Sequence, residues 1–171
     1  MACITLLIGF AAQTNADSTT ETAGDVLQVV LPALAFGMTF VYDDSPGRVQ
    51  FFESFLSTMG TTYALKYTVN RERPDGGDHS FPSGHASAAF SGASFLQRRY
   101  GWEYGIPAYA AASFVGWSRY DAHKHYTSDI LASAAIAIAF TYIFTTPYES
   151  DVQFVPYIDQ DICSVAVQFT F

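Results

Sequence analysis

The stretch SRYDAHKHYTSD, residues 118–129, decides how this chain is read. It holds Ser118-Arg119, then His125, then a carboxylate, Asp129, four residues further on. A four-residue step places imidazole and carboxylate on one face of a helix that starts near His125. A carboxylate beside an imidazole fixes its tautomer and supports its charged form, as nucleophilic and acid–base histidines require. The bland alternative is a surface pair worth a few tenths of a kcal/mol. Upstream lie two further clusters, Lys66 with Arg73-Pro74, and Pro82-Ser83-Gly84-His85.

Each cluster has two readings. Lys66 and Arg73 set two cations near one loop, where an arginine grips an oxyanion bidentately and a lysine acts as a point charge. They also suit a solvated surface pair. Ser83 is a good helix cap, and the helix start beyond it offers free N–H groups to an anion. Ordinary capping explains Ser83 alone. His85 is harder to dismiss, because the first turn of a helix disfavours a protonated imidazole and tunes its pKa.

The sequence around these clusters is helical and apolar. Five segments are expected: Asp25 to Tyr42 with a kink at Pro32, Gly47 to Thr68, His85 to Leu96, Ile106 to Tyr120, and Ser128 to Thr145. The second carries Phe51, Phe52, Phe55, Leu56 and Met59 at helical spacing, as core or as lipid-facing surface. The loop Arg71 to Ser83 is rich in Gly, Pro and Asp. In an up-and-down bundle the three clusters fall at helix ends that share one face, with the Asp43–Arg48 turn and Arg98-Arg99 opposite. The last segment offers 15 uncharged residues, Ile130 to Phe144, short of a full bilayer crossing without its polar flanks. A buried bundle and a compact membrane bundle both stay open.

The two ends of the chain read differently. Residues 1–16 resemble a secretory signal peptide, an apolar run closed by Thr14 and Ala16, although no base precedes it. Residues 17–147 form the helical domain. The tail, 148–171, alternates Val165, Val167, Phe169 and Phe171 with smaller or polar residues, the pattern of a short β-hairpin. Cys3 and Cys163 show no metal-ligand spacing.

Composition sets the outer limits. Of 171 residues 50% are hydrophobic and 14% charged, against about 25% in an ordinary soluble domain, which excludes a disordered chain. The net charge of −8 argues against nucleic acid. It does not argue against phosphate. Lys66, Arg71, Arg73, Arg119 and Lys124 lie in or beside the clusters, while Glu149, Asp151, Asp159 and Asp161 load the tail with acid. A local cationic cleft, rather than the sum, governs anion capture.

Taken together, Lys-x6-Arg-Pro, Pro-Ser-Gly-His and Ser-Arg-x5-His-x3-Asp resemble the signature of the type 2 phosphatidic acid phosphatase family. That family shares its fold and site with bacterial non-specific acid phosphatases and vanadium haloperoxidases. The resemblance implies an all-α bundle of five to six helices with its active site at one end. It implies a phosphatase that works without metal or other cofactor, through a phosphohistidine. His125 would be the nucleophile, Asp129 its orienting partner and His85 the general acid. Lys66, Arg73, Ser83, Gly84 and Arg119 would hold the phosphoryl oxygens. His79 and His123 fall outside the signature and read as loop polar groups; Arg71 and Lys124 read as adding field rather than contacts.

The substrate is left open among phosphatidate, phosphatidylglycerophosphate, a polyprenyl pyrophosphate, a lipid A phosphate and a soluble monoester. With the signal peptide, and with Arg48, Arg98 and Arg99 favouring a cytoplasmic opposite face, the expected place is the bacterial inner membrane with an outward-facing site, or the periplasm. A vanadate-dependent haloperoxidase and a non-catalytic envelope protein are the alternatives.

Overall fold

The computed structural model describes the backbone of residues 2–148, 152–159 and 162–169, and the side chains of residues 19–148. Five helices build it: α1 (Ala2–Val41), α2 (Ser45–Val69), α3 (Gly84–Tyr100), α4 (Trp102–Asp121) and α5 (Thr127–Phe144). The expected all-α bundle is what forms.

Helix ends follow the local chemistry. Asp44 caps α2 by accepting from the Gly47 amide at 2.9 Å, with a proline in the first turn where its missing N–H costs nothing. Asn70, in a left-handed conformation, stops α2. Ser83 caps α3. Two helix starts differ most from expectation. Helix α4 starts at Trp102 rather than Ile106, because Pro107 sits near its start and removes one hydrogen bond without ending it. Helix α1 runs back past Asp25, since neither Pro nor Gly stands between Phe10 and Ala23 to break it. The expected signal peptide, residues 1–16, lies outside the residues whose side chains are described. So do the side chains of the tail, where residues 152–159 and 162–169 run antiparallel, Val152 opposite Phe169.

Helix α3 is the central post and packs against the other four. Small residues make this possible. At Gly92 helix α1 crosses so closely that an added Cβ would lie 2.6 Å from the Leu31 backbone. Around α3 the core gathers Leu31, Ala35, Phe51, Phe95, Leu96 and Val115.

In α2 and α5 the inward face is rich in small hydroxyl residues and the outward face carries large apolar ones. Helix α2 turns Phe51, Ser54, Thr58 and Thr62 inward, while Phe52 and Leu56 are 48% and 63% exposed. The aromatic set read at helical spacing is therefore split between core and surface. Helix α5 likewise buries Asp129, Ser133, Ala137 and Thr141 and exposes Leu131 and Ile143. Some inward hydroxyls bond within their own helices, Thr58 to the Ser54 carbonyl at 2.8 Å and Ser133 to the Asp129 carbonyl at 2.7 Å, while Thr62 meets Ser87 of α3 at 2.8 Å. Two helical stretches, Thr19–Val41 and Thr127–Phe144, are long and apolar enough to cross a membrane.

At one end of the bundle Asp44 and Arg99 are locked together. Arg99 Nε donates to Asp44 Oδ2 at 2.7 Å and Nη2 to Oδ1 at 2.5 Å, and the Tyr100 hydroxyl donates to Oδ2 at 2.9 Å. The last guanidinium nitrogen, Nη1, is bound by the Thr146 and Pro147 carbonyls. Burial pushes the Asp44 carboxyl upward, but the bonds from Arg99, the Gly47 amide and Tyr100 outweigh it and hold the group below its usual range.

Candidate active site

At the other end the helices leave a cleft of about 410 Å³. Six of the eight residues singled out by the sequence line it: Lys66, Arg73, Gly84, His85, Arg119 and His125. They come from the end of α2, the loop after it, the start of α3, the end of α4 and the turn into α5. Ser83 and Asp129 are not on its wall. Both are fully buried behind it, Ser83 accepting from the Ala86 amide at 3.4 Å.

His125 is 4% exposed. Its Nδ1 lies 3.8 Å from Asp129 Oδ2, an ion-pair separation too long for a hydrogen bond. Among the described residues that buried nitrogen has no hydrogen-bond partner. Burial, with Lys66 and Arg73 adding to it, pulls the imidazole down to about 4, against the opposing pull of the Ser80 carbonyl and Asp129. A neutral ring near cations is a nucleophile at ordinary pH.

Asp129 spends its oxygens elsewhere. Oδ1 accepts from Arg71 Nη1 at 2.8 Å; Oδ2 accepts from Ser80 Oγ at 2.5 Å and from the Tyr126 amide at 3.0 Å. Arg71, read from sequence as adding field rather than contacts, is thus bonded to the carboxylate beside His125. It also donates to Ser128 at 2.8 Å and lies 4.1 Å over the Tyr126 ring. Lys124 is likewise engaged, paired with Asp75 at 2.9 Å beside the cleft.

The cations are placed by the loop. Lys66 Nζ donates to the His79 carbonyl at 2.7 Å, and His79 Nδ1 meets the Lys66 carbonyl at 3.1 Å. His79 takes a positive φ of 58° to do so, and is a brace for Lys66 rather than a loose polar group. Arg73 is held by its own turn, its amide bonded to the Gly77 carbonyl at 2.7 Å. Its Nε is buried and, among the described residues, unpartnered.

Helix α1 brings two groups that the motif reading missed, Glu21 and Asp25, both on the wall of the cleft. Asp25 Oδ1 accepts from His85 Nε2 and from Arg119 Nη1, each at 2.9 Å. The Glu21 carbonyl accepts from Arg119 Nη2 at 2.7 Å. Gly24 allows this approach, since any Cβ there would overlap Ser118 Oγ. The available signal was a carboxylate pair four apart, at the start of the apolar stretch of α1.

A helical bundle with a buried neutral imidazole among cations at one end defines a phosphate-handling class of enzyme. The PAP2 superfamily matches residues 48–150, and the chain belongs to that superfamily, whose phosphatases are phosphoric ester hydrolases. It is 33% identical over 141 residues to the lipid A 4'-phosphatase of Helicobacter pylori (strain J99), covering 75% of this chain and 71% of that protein. It is 42% identical over 84 residues to the lipid A 1-phosphatase of Porphyromonas gingivalis, covering 46% of this chain and 19% of that one. Its fold matches the crystal structure of Aquifex aeolicus LpxE with a TM-score of 0.66 at 19% identity, over 75% of this chain and 84% of that chain.

Proposed function

We propose that this chain hydrolyses the phosphate ester of a membrane lipid through a phosphohistidine at His125, without a metal. The observation that carries this is the cleft, where Lys66, Arg73 and Arg119 surround a neutral, buried imidazole. With Nδ1 turned to Asp129, His125 Nε2 attacks phosphorus as the bond to the leaving oxygen breaks. His85 gives that oxygen its proton. A water then attacks the phosphohistidine, returning a proton to His85 and releasing inorganic phosphate. Lys66, Arg73 and Arg119 neutralise charge that spreads over the equatorial oxygens, the dominant need in phosphoryl transfer. Ser83 and Gly84 contribute the backbone of the α3 N-terminus. Asp129, held by Arg71 and Ser80, orients His125.

Three features support a lipid. The helices expose large apolar side chains and bury small hydroxyls, the arrangement of helices packed in a bilayer. Two stretches have the length and apolarity to cross one. Both curated relatives above are named for lipid A, so a lipid A phosphate is the first substrate to try. Arg48, Arg98 and Arg99 at the opposite end favour that end as cytoplasmic, which turns the cleft outward. Residues 1–16 are the proposed signal, and the tail is an appended hairpin outside the catalytic unit.

The test is phosphate release by the detergent-purified chain from lipid A, phosphatidate, a polyprenyl pyrophosphate and a soluble monoester. Lipid A is expected to turn over fastest. Turnover of the soluble ester alone overturns the lipid half. An alkaline quench with radiolabelled phosphate should leave label on His125; label elsewhere overturns the mechanism.

A further inference from the structure

Among the groups at the cleft, Asp25 has a place that the motif residues do not explain. It stands on α1, before the stretch matched by the PAP2 superfamily, and one oxygen, Oδ1, receives both His85 and Arg119. The two residues that it joins come from different helices, α3 and α4. Helix α1 is fixed there by Gly24 against Ser118 and by the Glu21 carbonyl on Arg119 Nη2. Arg119 is 4% exposed and Asp25 is 48% exposed, so the carboxylate reaches a buried guanidinium from the open side of the cleft.

His85 needs such a partner. To donate a proton to a leaving oxygen it must first hold one. Its setting opposes this: burial above all, then Arg119 from α4 and Lys66 from α2, lower its affinity for the proton. Arg73 and Lys124 line the same cleft, as does His125, and the start of α3 adds its positive end. Glu21 shares the α1 face but is directed to Arg119, 3.8 Å from Nη1. Asp25 is the carboxylate bonded to the ring and the one that raises its proton affinity.

We propose that Asp25 is a positioning residue of the reaction, holding the proton-donating His85 and the phosphate-binding Arg119 on one carboxylate oxygen and so making α1 part of the catalytic unit. This rests on the reading of His85 as the proton donor. In the charged state the ring keeps one N–H on Asp25 and gives the other proton to the leaving oxygen. It is then neutral, still bonded to Asp25, and takes a proton from the water that opens the phosphohistidine. Asp25 itself neither gains nor loses a proton.

The test compares two esters with the full chain in detergent. In p-nitrophenyl phosphate the leaving group departs as a stable phenolate; in an alkyl phosphate it departs only when protonated. Asp25→Asn should lower kcat for the alkyl ester about 10- to 100-fold, with at most a few-fold loss on the p-nitrophenyl ester. The alkaline limb of kcat for the alkyl ester should move to lower pH, and Asp25→Glu should restore part of both. An equal loss on both esters, or a rise in KM with kcat unchanged, overturns the proposal and leaves Asp25 a phosphate-site or structural residue. His85→Ala, run alongside, separates the two levels. If His85→Ala discriminates between the esters and Asp25→Asn does not, the role of Asp25 falls alone. If His85→Ala does not discriminate, the proton-donor reading falls and takes the proposal with it.

Discussion

The two ends of the bundle each bury an arginine against a carboxylate, and they put the pair to opposite uses. Arg99 and Arg119 each have an acceptor for all three nitrogens, but at the Asp44 end the carboxylate is buried too, Asp44 being 2% exposed. Charge and hydrogen bonds close on themselves. At the cleft, Asp25 is half-exposed, and Lys66, Arg73 and Lys124 stand near Arg119. There Arg73 Nε and His125 Nδ1 lack partners among the described residues, as Arg48 Nε does at the other end. A satisfied ion pair joins helices; a surplus of cations beside a neutral imidazole receives an anion.

The contrast is sharpest in what removal should do. His125→Ala should cut phosphate release by about 10³-fold or more while the fold survives, measured as turnover beside thermal unfolding. At the other end Arg99→Met leaves Asp44 buried without its partner. It should cost about 3–5 kcal/mol of stability in denaturant unfolding, with turnover per folded molecule unchanged. If Arg99→Met instead slows turnover at constant stability, the division between the ends is wrong. Arg71→Ala frees the side of Asp129 that faces away from His125 and should lower kcat up to about 10²-fold with little change in KM.

A smaller effect concerns pH. His125 must be unprotonated to attack, and its proton affinity is lowered, so the active range extends downward. After allowance for the ester's own ionisation, kcat/KM should fall only as pH drops through about 4. Lys66→Met removes one of the causes and should move that limb upward. The smallest expected effect is none: EDTA should leave turnover intact, and a loss restored by one particular metal would break the reading of the cleft.

Much of this was legible because the motif residues sit at helix ends, where their spacing survives without knowledge of packing. Lys66, His85 and His125 could be assigned to one end of a bundle by counting helices. What escaped was set by approach between helices distant in sequence. Asp25 and Arg119 are 94 residues apart, and only the close crossing at Gly24 joins them. Arg71 lies 58 residues from Asp129, and its role depends on how the loop folds back. Ser83 was legible as the cap of α3, which its hydroxyl is, but not as lying behind the cleft wall. The inner face of α2 was hidden by its aromatics: the helical spacing of Phe51, Phe52, Phe55 and Leu56 left core and lipid-facing surface both open, and Ser54, Thr58 and Thr62 line the inside beside Phe51. Small hydroxyl residues carry little periodic signal, yet they permit the closest packing.

Those buried hydroxyls also bear on the order of assembly. Ser54, Thr58, Ser118 and Ser133 each bond a carbonyl of their own helix, three or four residues back. Each of these four is satisfied before a neighbouring helix arrives, whereas Thr62 of α2 waits for Ser87 of α3, 2.8 Å away. Asp44 and Arg99 are different. They come from separate segments, and each is costly in hydrocarbon until the other arrives. Made from the N-terminus, the chain can close the Asp44 end only after the whole of α3 has emerged. The cleft closes later, because Asp25 of α1 waits for Arg119 at the end of α4.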